Sequence, residues 1–87
     1  MITIMDFYAD WCGPCQAMSP VLEKVISQYP EKVTLEKINV DANQDKAREF
    51  RVMGIPTLVI AKDGKEVDRK TGLLGEAILR QWIDDNL

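Results

Sequence analysis

Histidine does not occur among the 87 residues, and cysteine occurs only twice, at Cys12 and Cys15. A structural zinc centre takes about four ligands, so one built on this pair would need carboxylates or a second copy of the chain to complete it. Positive charge is not in excess either: 11 Lys and Arg stand against 14 Asp and Glu, spread along the chain, for a net charge of −3. Without a basic patch to neutralise phosphates, nucleic-acid and anionic-membrane binding are disfavoured. No apolar run approaches the roughly 20 residues of a membrane span. The opening Met1-Ile2-Thr3-Ile4-Met5-Asp6 lacks the positive n-region of a secretory signal and meets an aspartate at position 6. These absences lead to the expectation of a soluble protein in a reducing cytoplasm, where stable disulfides are rare.

What remains is the composition of an ordinary globular domain, with 46% hydrophobic and 29% charged residues. A chain this long makes one domain, residues 1–87, near the size at which only about 60–65% of the unfolded surface can be hidden. No repeat, linker or low-complexity segment divides it.

Ile2 to Ala9 is apolar and broken only by Thr3 and Asp6, which suits a central strand covered on both faces. After a turn carrying Gly13 and Pro14, the positions Met18, Val21, Leu22, Val25, Ile26 and Tyr29 recur every three or four residues and mark one helix face. Pro20 falls inside it; the periodicity continues past it, so a kink is expected there and not an end. Val33 to Val40 reads as a second strand, Asp41-Ala42-Asn43 as a turn with a helix cap, and Gln44 to Phe50 as a short helix. The first two strands are then parallel through a right-handed crossover. Thr57 to Ala61 and Glu66 to Lys70 form a hairpin about Asp63-Gly64, and Ala77, Ile78, Leu79, Trp82 and Ile83 define a last helix from about Gly75 to Asn86. The expected architecture is α/β, βαβαββα, a four-stranded mixed sheet ordered second, first, third, fourth with helices on both faces.

The chemistry lies in Cys12 and Cys15, two residues apart where a strand hands over to a helix. One turn apart, their sulfurs can close a disulfide, and the free N–H groups and dipole at the helix start stabilise a thiolate on Cys12. Cys12 is the expected nucleophile; Cys15, deeper in the helix and expected to be less exposed, would resolve the mixed disulfide. The competing readings are half of a zinc site and a static staple, but so short a loop gains little from closure and would tend to be reduced in a cytoplasm.

Trp11-Cys12-Gly13-Pro14-Cys15 resembles the active-site motif of thioredoxins. The similarity extends over the chain through Asp6-Phe7-Tyr8-Ala9, Lys37-Ile38-Asn39-Val40-Asp41, Gly54-Ile55-Pro56-Thr57 and Thr71-Gly72. Thioredoxins usually carry a further strand and helix ahead of the strand leading to the cysteines, whereas this sequence starts at that strand. Val33–Val40 would then be a sheet edge, blunted by Glu36 and Lys37. In outline the chain approaches glutaredoxin size, although glutaredoxins more often place Pro and an aromatic residue between their cysteines.

The resemblance implies a minimal thioredoxin fold and a thiol-disulfide oxidoreductase, monomeric, with no bound cofactor beyond the Cys12–Cys15 couple. Its implied partners are disulfide-bearing proteins, such as ribonucleotide reductase or peroxiredoxins, and a thioredoxin-reductase-type flavoprotein. The Gly-Pro spacer offers no thiolate-stabilising side chain, which favours a reductant with a potential nearer the thioredoxin value of about −270 mV than the isomerase value of about −180 mV. Asp6, an acid in an apolar strand, should have a raised pKa and pass protons to and from Cys15. Lys37 is either its partner or a solvated edge residue. The Ile55–Pro56 bond is implied to be cis, presenting the Ile55 backbone to an extended substrate, with Trp11, Gly13, Ile55 and Gly72 as a flat apolar rim around the sulfur. Trp82 and the four methionines read as packing. Gln16 replaces a basic residue common in the family, removing a positive charge near the thiolates, and Tyr8 replaces a tryptophan while keeping an aromatic wall. The alternatives are a glutathione-dependent, glutaredoxin-like enzyme and a non-catalytic thioredoxin-fold binding subunit.

Overall fold

The computed structural model describes residues 1–87. Seven elements follow one another: β1 (Ile2–Tyr8), α1 (Gly13–Ile26), β2 (Val33–Asn39), α2 (Gln44–Glu49), β3 (Thr57–Lys62), β4 (Lys65–Thr71) and α3 (Glu76–Asn86). The strands form one sheet in the order β2-β1-β3-β4, with β1 and β2 parallel and the other pairs antiparallel. This is the expected βαβαββα topology.

Strand alternation distributes the core over two faces. Ile2 and Ile4 of β1 join Leu58 and Ile60 of β3 against Met18, Leu22 and Val25 of α1 and Leu79, Trp82 and Ile83 of α3. Met5 and Phe7 join Ile38, Val59 and Ala61 on the other face, beneath Ala47 and Phe50. The continuous apolar run of β1 thus reflects a strand covered on both sides. The side chains of this core, about 0.8 kcal/mol per buried methylene, are the main source of stability.

The hairpin turns as its sequence requires. Asp63 and Gly64 both adopt positive φ, 52° and 79°, the conformation that matches the twist of the flanking strands in a two-residue turn. Helix α1 passes through Pro20 without ending. It differs from expectation at both ends. Gly13 and Pro14 lie in its first turn, because Pro is preorganised for that position, and Tyr29 lies beyond its end, in the turn whose carbonyl accepts the Lys32 and Val33 N–H groups. Asn43 does not cap α2 with its side chain. Its Nδ2 donates to the Asn39 carbonyl instead, and Asn39 Oδ1 accepts the Asp41 and Ala42 N–H groups, so the side-chain turn forms one step earlier. No helix is long and apolar enough to cross a membrane.

Trp82 is core as expected, with its Nε1 donating to Asp68 Oδ2 at 2.7 Å. The methionines divide. Met5 and Met18 are buried, whereas Met1 and Met53 are exposed, Met53 at 96%, because it sits in the loop after α2 where no element covers it.

Candidate functional site

The carboxyl end of β1 and the amino end of α1 meet at the cysteines. The chain leaves β1 at Tyr8, turns so that the Cys12 N–H donates to the Ala9 carbonyl at 3.1 Å, and enters α1 with Cys12 as its N-cap in extended conformation. Cys12 Sγ occupies the place of a capping oxygen and accepts the Cys15 N–H at 3.2 Å. A sulfur at a helix N-terminus receiving a backbone donor is where a thiolate is stabilised.

Cys12 and Cys15 are joined as a disulfide, with Cα atoms 5.2 Å apart. They pack with Ala9 against Tyr8, Val40 and Ile55. The expected difference in exposure is not found: both residues are 5% exposed. In the bonded state the two sulfurs share one position under the same walls, and the helix depth of Cys15 does not separate them.

Ahead of the sulfurs lies an open, largely apolar groove of about 390 Å³ lined by Trp11, Val40, Val52, Met53, Gly54 and Ile55. Trp11 is 72% exposed, and its Nε1 donates to Asp41 Oδ2 at 2.8 Å, so the β2–α2 turn holds the indole in place. The Ile55–Pro56 peptide is cis. The Pro56 carbonyl accepts the Gly72 N–H at 2.8 Å. Gly72 has φ +99°, a conformation that a side chain would strain. Of the four rim residues expected, Trp11 and Ile55 line the groove. Gly13 is exposed at the start of α1, and Gly72 touches the Ile55–Pro56 loop through its backbone, but neither lines the groove. Val40, Val52, Met53 and Gly54 do line it, and sequence reasoning missed them as a set. Val40 directly follows β2 and the other three precede the motif proline, so proximity to those motifs was the available signal.

Behind Cys15, on the β2 side, a smaller polar cleft of about 230 Å³ is bounded by Asp6, Tyr8, Asp10, Cys15, Gln16, Ser19 and Lys37. Asp6 is buried, and its Oδ1 has no hydrogen-bond partner. Burial pushes its pKa from 3.8 to about 6; the Lys37 ammonium opposes this, and the carboxylate of Glu23 adds to it. Asp6 and Lys37 are register neighbours on β1 and β2, yet they form no ion pair. Lys37 Nζ donates to Ser19 Oγ at 2.7 Å and lies 5.2 Å from the centroid of the Tyr8 ring. Gln16 turns its Nε2 to the Ala9 and Asp10 carbonyls at 3.4 and 3.5 Å, bracing the turn before the cysteines. Ser19 and Glu23 were not singled out from the sequence, although both repeat at intervals of four after Cys15 on α1.

The chain carries no group of three or more His, Cys, Asp and Glu side chains able to hold a metal ion. The arrangement is that of a dithiol/disulfide couple at a helix start, with an apolar groove and a cleft holding a buried carboxyl beside it.

Comparison with known proteins agrees. The family model Thioredoxin matches residues 1–85. A thioredoxin of Mycobacterium tuberculosis is 43% identical over 82 residues, which are 94% of this chain and 71% of that protein. A bifunctional thioredoxin reductase/thioredoxin of Mycobacterium leprae is 42% identical over 82 residues, which are 94% of this chain and 18% of that longer protein. Among solved structures, a single-site mutant of a thioredoxin from Halobacterium salinarum NRC-1 superposes with a TM-score of 0.88 at 42% identity, over 97% of this chain and 73% of that one.

Proposed function

The chain belongs to the thioredoxin family, a thiol-disulfide oxidoreductase whose redox centre is the Cys12–Cys15 pair, and from that premise we propose how its residues divide the reaction. The Cys12 thiolate attacks one sulfur of a substrate disulfide and releases the other as a thiolate. Cys15, having given up its proton, attacks Cys12 Sγ, frees the second substrate sulfur and closes the Cys12–Cys15 disulfide. Two electrons pass to the substrate, and its two thiolates take up two protons. No bound cofactor enters this cycle. The observation that carries the assignment of Cys12 as nucleophile is its Sγ at the N-cap of α1, accepting a backbone N–H.

Asp6 is the proton acceptor for Cys15 in this reading, supported by the cleft they share and by a carboxyl pKa of about 6. A group poised there can take a proton near neutral pH and return it. The apolar groove from Trp11 to Ile55 would receive an extended substrate segment, with the Ile55 backbone as its hydrogen-bonding partner. A thioredoxin-reductase-type enzyme would regenerate the dithiol; the Mycobacterium leprae relative, named for both activities, supports this. The reading places the protein in a reducing compartment such as the cytoplasm.

Trapping tests the order of attack. Cys15→Ser should accumulate a stable mixed disulfide with a disulfide-bearing protein, visible as a covalent adduct that dithiothreitol dissolves, while Cys12→Ser should give none. Adducts forming through Cys15 in the Cys12→Ser variant would overturn the assignment.

A further inference from the structure

On α1, Cys15, Ser19 and Glu23 follow at intervals of four and so form one stripe of the helix. Asp6 and Lys37, adjacent on β1 and β2, lie opposite that stripe. An ammonium beside a poorly solvated carboxyl would ordinarily pair with it. Lys37 does not: Asp6 takes part in none of the ion pairs, and its Oδ1 is left without a partner. The ammonium is instead drawn to Ser19 Oγ at 2.7 Å and lies near the Tyr8 ring.

We propose that Ser19 is a positioning residue: its hydroxyl tethers the Lys37 ammonium to α1 within the cleft, keeping it off the Asp6 carboxyl and leaving that carboxyl free to exchange a proton with Cys15. The inference rests on Asp6 as proton acceptor. The charged neighbours of Asp6 leave Lys37 as the single cation concerned. Lys37 comes from β2, Glu23 from α1 and Asp10 from the turn after β1, while the β3 partner is the uncharged Leu58. Glu36, next to Lys37, is occupied by Lys46 of α2. Without the Ser19 hydroxyl, Lys37 is left with the carboxyl of its register partner Asp6 in the same cleft. An ion pair there would stabilise the carboxylate and weaken its hold on the proton about tenfold, a fall of about one pH unit.

The test is an NMR titration of the Asp6 carboxyl carbon in the oxidised protein, with Ser19→Ala, Ser19→Thr, Lys37→Met and the Ser19→Ala/Lys37→Met double variant. Alanine is the better helix former, so folding is retained. The midpoint should fall by about one unit in Ser19→Ala and return in Ser19→Thr. The double variant should titrate like Lys37→Met alone. The pH profile of the resolution step, followed by rapid-quench alkylation, should move down with the midpoint. An unchanged or raised midpoint in Ser19→Ala overturns the proposal, as does a Ser19 effect that persists without Lys37. The Asp6 assignment fails separately, if Asp6→Asn resolves mixed disulfides at the parent rate and pH dependence.

Discussion

A buried carboxyl with an unpartnered oxygen is hard to ionise, and this leaves a thermodynamic trace independent of catalysis. The Asp6 pKa is about 6 in the folded chain against an ordinary 3.8. Between these values the folded state binds more protons than the unfolded state, so stability falls as pH rises through that window. Below about pH 4 the carboxyl is neutral in both states and there is no penalty; above about pH 6 the penalty is complete. Asp6→Asn, which mimics the neutral form, should therefore raise stability by about 2 to 3 kcal/mol at pH 8, with the gain disappearing below about pH 4. Urea unfolding at the two pH values measures it, and an equal effect at both would deny that ionisation is the cause. The same variant should slow release of substrate from Cys12 at pH 7 by roughly 100-fold, the lower end of the usual range for general acid–base assistance. Asp6 was legible in the sequence as an acid in an apolar strand. The separation of Lys37 from it was not, because a lysine at a strand edge has several acceptors in reach and only packing shows that Ser19 is the one taken.

Elements were readable where one physical rule dominated. The apolar run of β1, the four-residue spacing of α1 and the Asp63-Gly64 turn each follow from a single period or backbone requirement, and their bounds agree with expectation to within a few residues. Reading failed where two rules competed. Asn39 and Asn43 both carry side chains suited to turns, and the side-chain turn forms at Asn39, leaving α2 without a side-chain cap. Met53 has an apolar side chain that residue type alone assigns to packing, but it lies outside any element and helps form the groove. Gly64 gives a test at this scale. A Cβ there would meet nothing within 4 Å, yet φ is +79°, so Gly64→Ala should cost about 1 to 2 kcal/mol through backbone strain alone. Gly64→Asn should recover much of it, because Asn tolerates that conformation better. A thermal-melting comparison decides this; a neutral Gly64→Ala would mean that the turn relaxes.

For the whole molecule, the sheet brings three separate stretches of sequence to one end. The β1–α1 turn provides the cysteines, the β2–α2 turn holds Trp11 through Asp41, and the loop before β3 provides Ile55 and Pro56. Catalytic machinery at the carboxyl ends of parallel strands is the general rule for open α/β sheets, and here an apolar groove and a polar cleft holding Asp6 lie beside one sulfur pair. The central claim is that this pair, with only Gly-Pro between its members, is poised to give electrons to protein disulfides. Equilibrating the protein in graded dithiothreitol buffers at pH 7 and counting free thiols by alkylation measures the midpoint potential of Cys12–Cys15. A value near about −270 mV, and in any case below about −250 mV, is predicted for a reductant; one above about −200 mV would contradict the account and point to isomerase-like or glutathione-linked chemistry.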